Sequence, residues 1–231
     1  MENLREAWKD IWNGKAQSEN MFVQIGRSSY SPLDFLLMVK DICKSLDFNK
    51  EDIVLDAGGG AGWVSISVAP FVNKVVLFDF SEKMIDAAKE NTKFYENVEL
   101  YHDDLLVMNN VKDKKYAKVI ISSVIQYLED YAQIETALTN IYNVLTEGGK
   151  AVFTHNPDMR KRQAHIDSYS RLDWPKEKIN AALAKEEERL WLEIDELRKT
   201  CSKIGFSEFY EVPINPKLWQ STHMLDFVVK K

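Results

Sequence analysis

Ile53-Val54-Leu55-Asp56-Ala57-Gly58-Gly59-Gly60-Ala61-Gly62 is the stretch whose reading decides the fold. It opens on a β-branched apolar run, the pattern of a strand buried on both faces. It closes on a glycine-rich turn of the form Asp-x-Gly-x-Gly-x-Gly. Glycines there let the backbone turn sharply and let a ligand lie against the main chain. Asp79 ends the next apolar run, about 20 residues on, where an acid commonly bonds a ribose hydroxyl. Loop, strand-turn-helix context and acid together point to a site for a nucleotide-like cofactor at the carboxyl ends of parallel strands.

Outward from this loop, short apolar runs alternate with helical stretches, the signature of a parallel α/β sheet. Strands are expected at Ile53–Asp56, Val75–Asp79, Val98–Tyr101, Ala117–Ser122 and Ala151–Thr154. Ser81 is placed to cap a helix from Glu82 to about Tyr95. A helix from Tyr131 to Leu145 is expected to end at Gly148-Gly149 in a left-handed cap. Pro175 suits a first turn, and Ile179, Leu183, Leu190, Ile194, Leu197 and Ile204 keep one face of a single long helix that Gly205 stops. Phe209–Val212 and Leu225–Val229 read as an antiparallel pair. Residues 1–50 form a helical cap, with helices around Trp8 and Met38, ahead of a domain over 51–231. The polar stretch Asn156–Trp174 falls where a lid or substrate wall is expected, the lid or substrate insertion is placed over 157–185, and the chain is expected to form one compact unit.

The residues from 50 to 231 resemble the class I S-adenosylmethionine (SAM)-dependent methyltransferases. Asp56 to Gly62 match the family's first motif. Asp79 matches its ribose acid, and His102-Asp103-Asp104-Leu105 matches the segment after the third strand. Ser122-Ser123-Val124-Ile125-Gln126-Tyr127-Leu128 matches the segment beside the methyl donor, and Leu145-Thr146-Glu147-Gly148-Gly149 the turn before the fifth strand. The resemblance implies a Rossmann-like, mostly parallel sheet of seven strands, the last antiparallel. It implies SAM as cofactor and S-adenosylhomocysteine (SAH) as product. The cofactor set it implies is Asp56, Ala57, Gly58, Gly59, Gly60, Gly62, Asp79, Phe80, Asp104, Leu105 and Ser122. Asp104 would accept from the adenine amino group. Ala57 and Gly59 read as readily as plain turn and packing residues, and Tyr127 as readily as core. A dinucleotide loop would place its third glycine at Trp63 or Ser65, so nicotinamide is disfavoured.

A shorter resemblance covers Trp8, Trp12, Lys15-Ala16 and Gln24-Ile25-Gly26-Arg27-Ser28, which look like the preamble of small methyltransferases found with sugar and surface-polysaccharide genes. Arg27 is a planar donor suited to a carboxylate, either that of SAM or that of an acidic substrate. Trp12, Gln24, Tyr30 and Arg160 are the candidate substrate residues. Arg160-Lys161-Arg162 reads either as an anion site or as a solvated face. His155, after the fifth strand, is the candidate general base with Tyr127 beside it, against the alternative of a structural histidine.

The chain has 231 residues, 45% hydrophobic and 29% charged, with a formal net charge of −6. That is one domain's worth of ordinary globular sequence, and its charge argues against a nucleic-acid grip. Cys43 and Cys201 are far apart and read as buried thiols. No signal core or membrane-length apolar run is present, so a soluble cytoplasmic monomer or homodimer is expected. No metal site is read. Glu129-Asp130 is taken as a helix start rather than a magnesium pair. An Asn-Pro-Pro-Tyr sequence is absent after the fourth strand, which lowers the case for base or glutamine methylation. The expected acceptor is a small molecule, first a hydroxyl of a sugar or related metabolite, then the amine of an amino sugar or another amine. A SAM-binding or partner-binding protein without catalysis is the reading from another class.

Overall fold

In the computed structural model, which describes residues 4–171 and 173–231, alternate residues of each central strand face opposite sides of one sheet. Leu55, Val76, Val119, Ala151 and Phe227 pack on one side. Val54, Val75, Ile120, Val152 and Val228 pack on the other. All ten are essentially inaccessible to solvent, and each large one contributes about 1.5–3 kcal/mol by burial. Such doubly buried strands explain the near-continuous apolar runs.

The elements alternate as follows. Helices α1 (Leu4–Ala16), α2 (Met21–Gln24) and α3 (Pro32–Leu46) precede β1 (Ile53–Ala57) and α4 (Trp63–Val68). Then come β2 (Lys74–Asp79), α5 (Glu82–Thr92), β3 (Val98–His102), β4 (Tyr116–Ser122) and α6 (Tyr131–Val144). Next are β5 (Leu145–Pro157), α7 (Arg162–Ser168), α8 (Lys176–Glu188), α9 (Ile194–Ile204), β6 (Glu208–Val212) and β7 (Met224–Lys230). The seven strands lie in the order β3-β2-β1-β4-β5-β7-β6. β7 runs antiparallel to both neighbours, as the family resemblance implied. The order reverses between β1 and β4, so the loops after these strands open a crevice at the carboxyl edge.

Local chemistry sets the helix starts. Ser81 Oγ accepts from the Met84 amide at 3.1 Å and Asp130 Oδ1 from Gln133 at 2.9 Å, each satisfying a free first-turn donor. Asp130 therefore starts α6. Ser31 and Asp34 close a reciprocal capping box in front of α3.

Three expectations need correction. α6 stops at Val144 because Leu145 turns straight into an extended conformation. Gly148, at φ +72°, lies within β5 rather than capping a helix. The single long helix is two, and α5 ends at Thr92, short of Tyr95. Between α8 and α9 the chain is extended: Leu192 N donates to Pro157 O at 2.9 Å, and Met159 N donates to Leu192 O at 3.0 Å. Trp191 and Leu192 are pulled into the core there, so burial and strand-like pairing override helical periodicity. Gly205, at φ +113°, does cap α9. Cys43 is half-buried, Cys201 buried, and both are free thiols. Among the described residues no helix is long and apolar enough to cross a membrane.

Candidate active site

The glycine loop curls back over the end of β2. Gly58 N and Gly59 N both donate to Phe78 O, at 2.8 and 3.0 Å. Gly58 sits at φ +75°, and a Cβ on it would come within 2.6 Å of Val124. A Cβ on Gly59 would lie 2.6 Å from the Leu77 side chain and 2.8 Å from Asp56 Cγ. The loop can therefore be this close to β2 and β4 only without side chains.

Two buried acids hold it. Asp56 accepts the Ser65 hydroxyl at 2.6 Å. Asp79 accepts Gly60 N and Ser81 N, each at 2.9 Å. Burial raises both carboxyls to about 6. Each oxygen of Asp79 takes one amide, which leaves acceptor capacity for a ligand hydroxyl.

A cavity of about 740 Å³, its open mouth included, runs from this loop across the carboxyl ends of β4 and β5. Gly58–Gly60, Asp56, Asp79, Phe80, Ser122, Tyr127 and His155 line it, with Trp12, Gln24 and Arg27 from the N-terminal helices. An adjoining apolar slot of about 450 Å³ is lined by Trp8, Asp104 and Leu105 and shares Gly58, Phe80, Val124 and Tyr127 with the cavity. α1 roofs both spaces: Trp8 and Trp12 pack their rings on Tyr127, with centroids 4.6 and 5.8 Å away. Arg5, also on α1, pairs with Asp104.

The structure thus brings most of the anticipated residues together and separates others. Ala57 is fully buried and Gly62 precedes α4; neither lines the cavity. Gln24 lines it, but its amide is occupied, donating to Ser18 O at 2.8 Å and accepting from Trp63 Nε1 at 2.6 Å. It joins the helical segment to α4. Tyr30 is buried outside the lining, and burial pushes its phenol up to about 12. Arg160 is bound bidentately by Asp158, through Nε and Nη2 at 2.8 Å each, and also pairs with Glu211. It is a structural cation there, not a free anion site.

Arg27 and His155 face the same space. The Arg27 guanidinium donates to Ser123 Oγ and to Gly26 O, and its buried Nε has no partner. His155 is 2% exposed, and its Nδ1 has no partner. Burial first, then the charge of Arg27, holds its pKa well below 6.5, so the ring is neutral at physiological pH. Ser123 and His155 both sit at φ +58°, an uncommon conformation for such residues that clusters at functional sites. Sequence reading quoted Ser123 only within the family resemblance and passed over Asp226. The Ser122-Ser123 pair after a buried strand was the available signal for the first. Asp226, in an apolar strand, was a polar residue at a core position.

A seven-stranded sheet in this order, with its antiparallel strand beside β5 and a glycine loop after β1, is the class I methyltransferase fold. Residues 54–149 match the model of a methyltransferase domain. The chain is 30% identical over 69 residues to ribosomal RNA small subunit methyltransferase A of Caldanaerobacter subterraneus subsp. tengcongensis, a match covering 30% of this chain and 26% of that protein. It is 31% identical over 116 residues to demethylmenaquinone methyltransferase of Staphylococcus aureus strain JH9, covering 49% and 46%. The chain thus spans less than half the length of the curated relatives it matches. The crystal structure of N-methyltransferase NodS from Bradyrhizobium japonicum WM9 with S-adenosyl-L-homocysteine superposes with a TM-score of 0.68 over 99% of both chains at 15% identity.

Proposed function

We propose that this chain is a SAM-dependent methyltransferase acting on a small molecule, with a hydroxyl as the acceptor group. The observation that carries the reading is one cavity lined by the glycine loop, Asp79, Arg27 and His155, whose buried Nδ1 has no partner.

The residues present fit the donor. Asp79 has acceptor capacity for the ribose hydroxyls, and the slot beside Phe80, Leu105 and Asp104 suits adenine. Arg27, with a buried Nε lacking any partner, suits the methionine carboxylate. Bound SAM supplies an electrophilic methyl group on a sulfonium. Positioning and exclusion of water then account for much of the rate, and the aromatic roof of Trp8, Trp12 and Tyr127 excludes water. A hydroxyl must lose a proton, and neutral His155 offers Nδ1 to accept it. A base of low pKa is adequate because the hydroxyl proton becomes strongly acidic as its oxygen gains the new bond.

Amine methylation is the second reading, favoured by the aromatic roof and by the fold shared with NodS. A candidate base on the cavity wall, His155, favours the hydroxyl over it. Segments 1–50 and 157–185 act in this reading as cap and lid, and the protein works in the cytoplasm without nucleic acid.

Calorimetric titration with SAH, alongside Asp79→Ala, tests the reading. Micromolar-range binding that the variant loses supports it, and a screen with labelled SAM over hydroxyl and amine acceptors follows. A folded wild-type protein that binds no SAH overturns it.

A further inference from the structure

Asp226 occupies a place in β7 where an apolar side chain is expected. Leu225, Phe227 and Val229 pack on one side of the sheet, and Met224 and Val228 on the other. Strand alternation sets Asp226 between Met224 and Val228. The acid is buried there, which is unfavourable unless its oxygens are hydrogen-bonded.

The pairing of β5 with β7 accounts for it. Phe153 pairs with Phe227 and Asn156 with Leu225. Two residues of β5, Thr154 and His155, therefore oppose the single residue Asp226, which makes a β-bulge. A bulge takes one residue out of the ladder, and the buried amide left over must find another acceptor. Thr154 is held from the β4 side: its carbonyl accepts from Ser123 N at 2.9 Å, and its hydroxyl donates to Ser122 Oγ at 2.9 Å. His155 is held from the β7 side, where its amide donates to Asp226 Oδ1 at 2.5 Å. The side chain opposite the bulge thus supplies the acceptor that the ladder lacks.

The backbone fixed in this way is of a kind that favours glycine. His155 sits at φ +58°, and glycine is the usual occupant of a left-handed bulge position. Such a conformation persists only where the surroundings over-determine it. An unfavourable backbone and a buried acid therefore meet at one hydrogen bond, and the side chain that they direct is the imidazole on the cavity wall. Asp226 itself is not part of that lining.

We propose that Asp226 is the positioning residue for His155: by accepting its amide it pins the bulge and so aims the imidazole at the reacting atoms. The inference rests on the methyltransferase reading for the role of His155 as base. Without an acceptor at position 226 the bulge is free to slide along β5. In a regular strand position the side chain of residue 155 is fixed to one face of the sheet instead of being turned over its carboxyl edge.

The test compares Asp226→Val, which suits a strand but offers no acceptor, with Asp226→Asn, whose side-chain oxygen can accept the same bond. The first readout is the His155 ring resonance in SAH-saturated full-length protein, assigned by its loss in His155→Asn. In the wild type the buried ring, which shares the cavity wall with Arg27, should not titrate near 6.5. In Asp226→Val the displaced ring should titrate at about 6.5, the ordinary histidine value. Asp226→Asn should restore the wild-type behaviour. The second readout is turnover of the acceptor found by the labelled-SAM screen, measured well below the melting temperature. Asp226→Val should lower kcat about a hundredfold, the effect of a misplacement of about 1 Å, leave the KM for SAM and the SAH affinity unchanged, and be rescued in Asp226→Asn. A merely structural acid would lower the melting temperature and leave the ring and kcat alone, and that outcome overturns the proposal. Hydrogen exchange of the His155 amide decides the matter even if Asp226→Val does not fold. It should be protected in the wild type and in Asp226→Asn, and an unprotected amide in the folded wild type overturns the proposal too. A wild-type protein that binds no SAH instead overturns the methyltransferase reading, and full turnover in His155→Asn overturns the base. In either case the ring measurement, made without SAH, still decides whether Asp226 positions His155.

Discussion

Asp226 Oδ1 accepts the backbone amide of His155 at 2.5 Å, tying β7 to the point where β5 departs from regular pairing. The register between these strands shifts between Phe153 and Asn156, and the unpaired residues let His155 take its positive φ and turn its ring to the cavity. Asp226 is 3% exposed, and burial raises its carboxyl to about 8 from 3.8.

That raised value gives a stability prediction with a definite sign. Between pH 3.8 and about 8 folded Asp226 keeps a proton that the unfolded chain has released, so stability falls as pH rises through this range. Asp56 and Asp79 act in the same direction but only up to about 6. The lowered pKa values of His155 and His223 act oppositely, and only below 6.5. Lys15 acts oppositely above about 8. From 6.5 to 8 the slope belongs chiefly to Asp226. Urea unfolding of the wild type should show stability falling across that window, and Asp226→Asn should flatten it. Equal slopes in the two proteins would refute the assignment.

For His155 the decisive substitution is Asn, which tolerates a left-handed backbone and so keeps the bulge. His155→Asn should lower the turnover of a hydroxyl acceptor about 10²–10⁴-fold, the usual contribution of a positioned base. SAH affinity should hardly change. Because the imidazole is neutral throughout, the wild-type rate should show no inflection near 6.5. Any fall at lower pH should appear in the KM for SAM as Asp56 and Asp79 take up protons near 6. A turnover unchanged in the variant would return His155 to a structural role.

Gly59→Ala probes the close approach of the loop to β2. The added Cβ would stand 2.6 Å from Leu77 and 2.8 Å from the buried Asp56 carboxyl carbon. Overpacking of this kind costs about 1–3 kcal/mol, which for a chain this size lowers the melting temperature by roughly 2–12 °C. Thermal unfolding measures that, and SAH binding should weaken with it. A variant as stable as wild type would mean that the loop stands farther from β2.

The glycine loop, the strand runs and Asp79 were legible because they are local: near-continuous apolar runs and glycines whose backbone no other residue adopts easily. What failed was settled by distant partners. The break between α8 and α9 exists because Leu192 pairs with Pro157 and Met159, and no periodicity within residues 176–204 encodes that. Gln24 looked like a substrate residue because Trp63 and Asn91, which occupy its amide oxygen, lie far along the chain.

Arg160 and Arg27 give the sharpest contrast between a sequence reading and a site. Arg160 supplies two side-chain donors to Asp158, whose side chain is fully buried. Arg160→Ala leaves that carboxylate short of its charge-assisted bonds, so it should cost about 1–3 kcal/mol of stability and leave SAH affinity unaltered. Arg27 has no carboxylate to satisfy among the described residues and a buried Nε without a partner. Arg27→Gln should therefore leave stability near wild type while weakening SAH about ten- to a hundredfold, the worth of charge-assisted hydrogen bonds to the methionine carboxylate. 5′-Methylthioadenosine, which lacks that carboxylate, should bind both proteins equally. Equal losses for the two ligands in Arg27→Gln would place the arginine away from the carboxylate, and a loss of SAH affinity in Arg160→Ala would bring that residue back into the site.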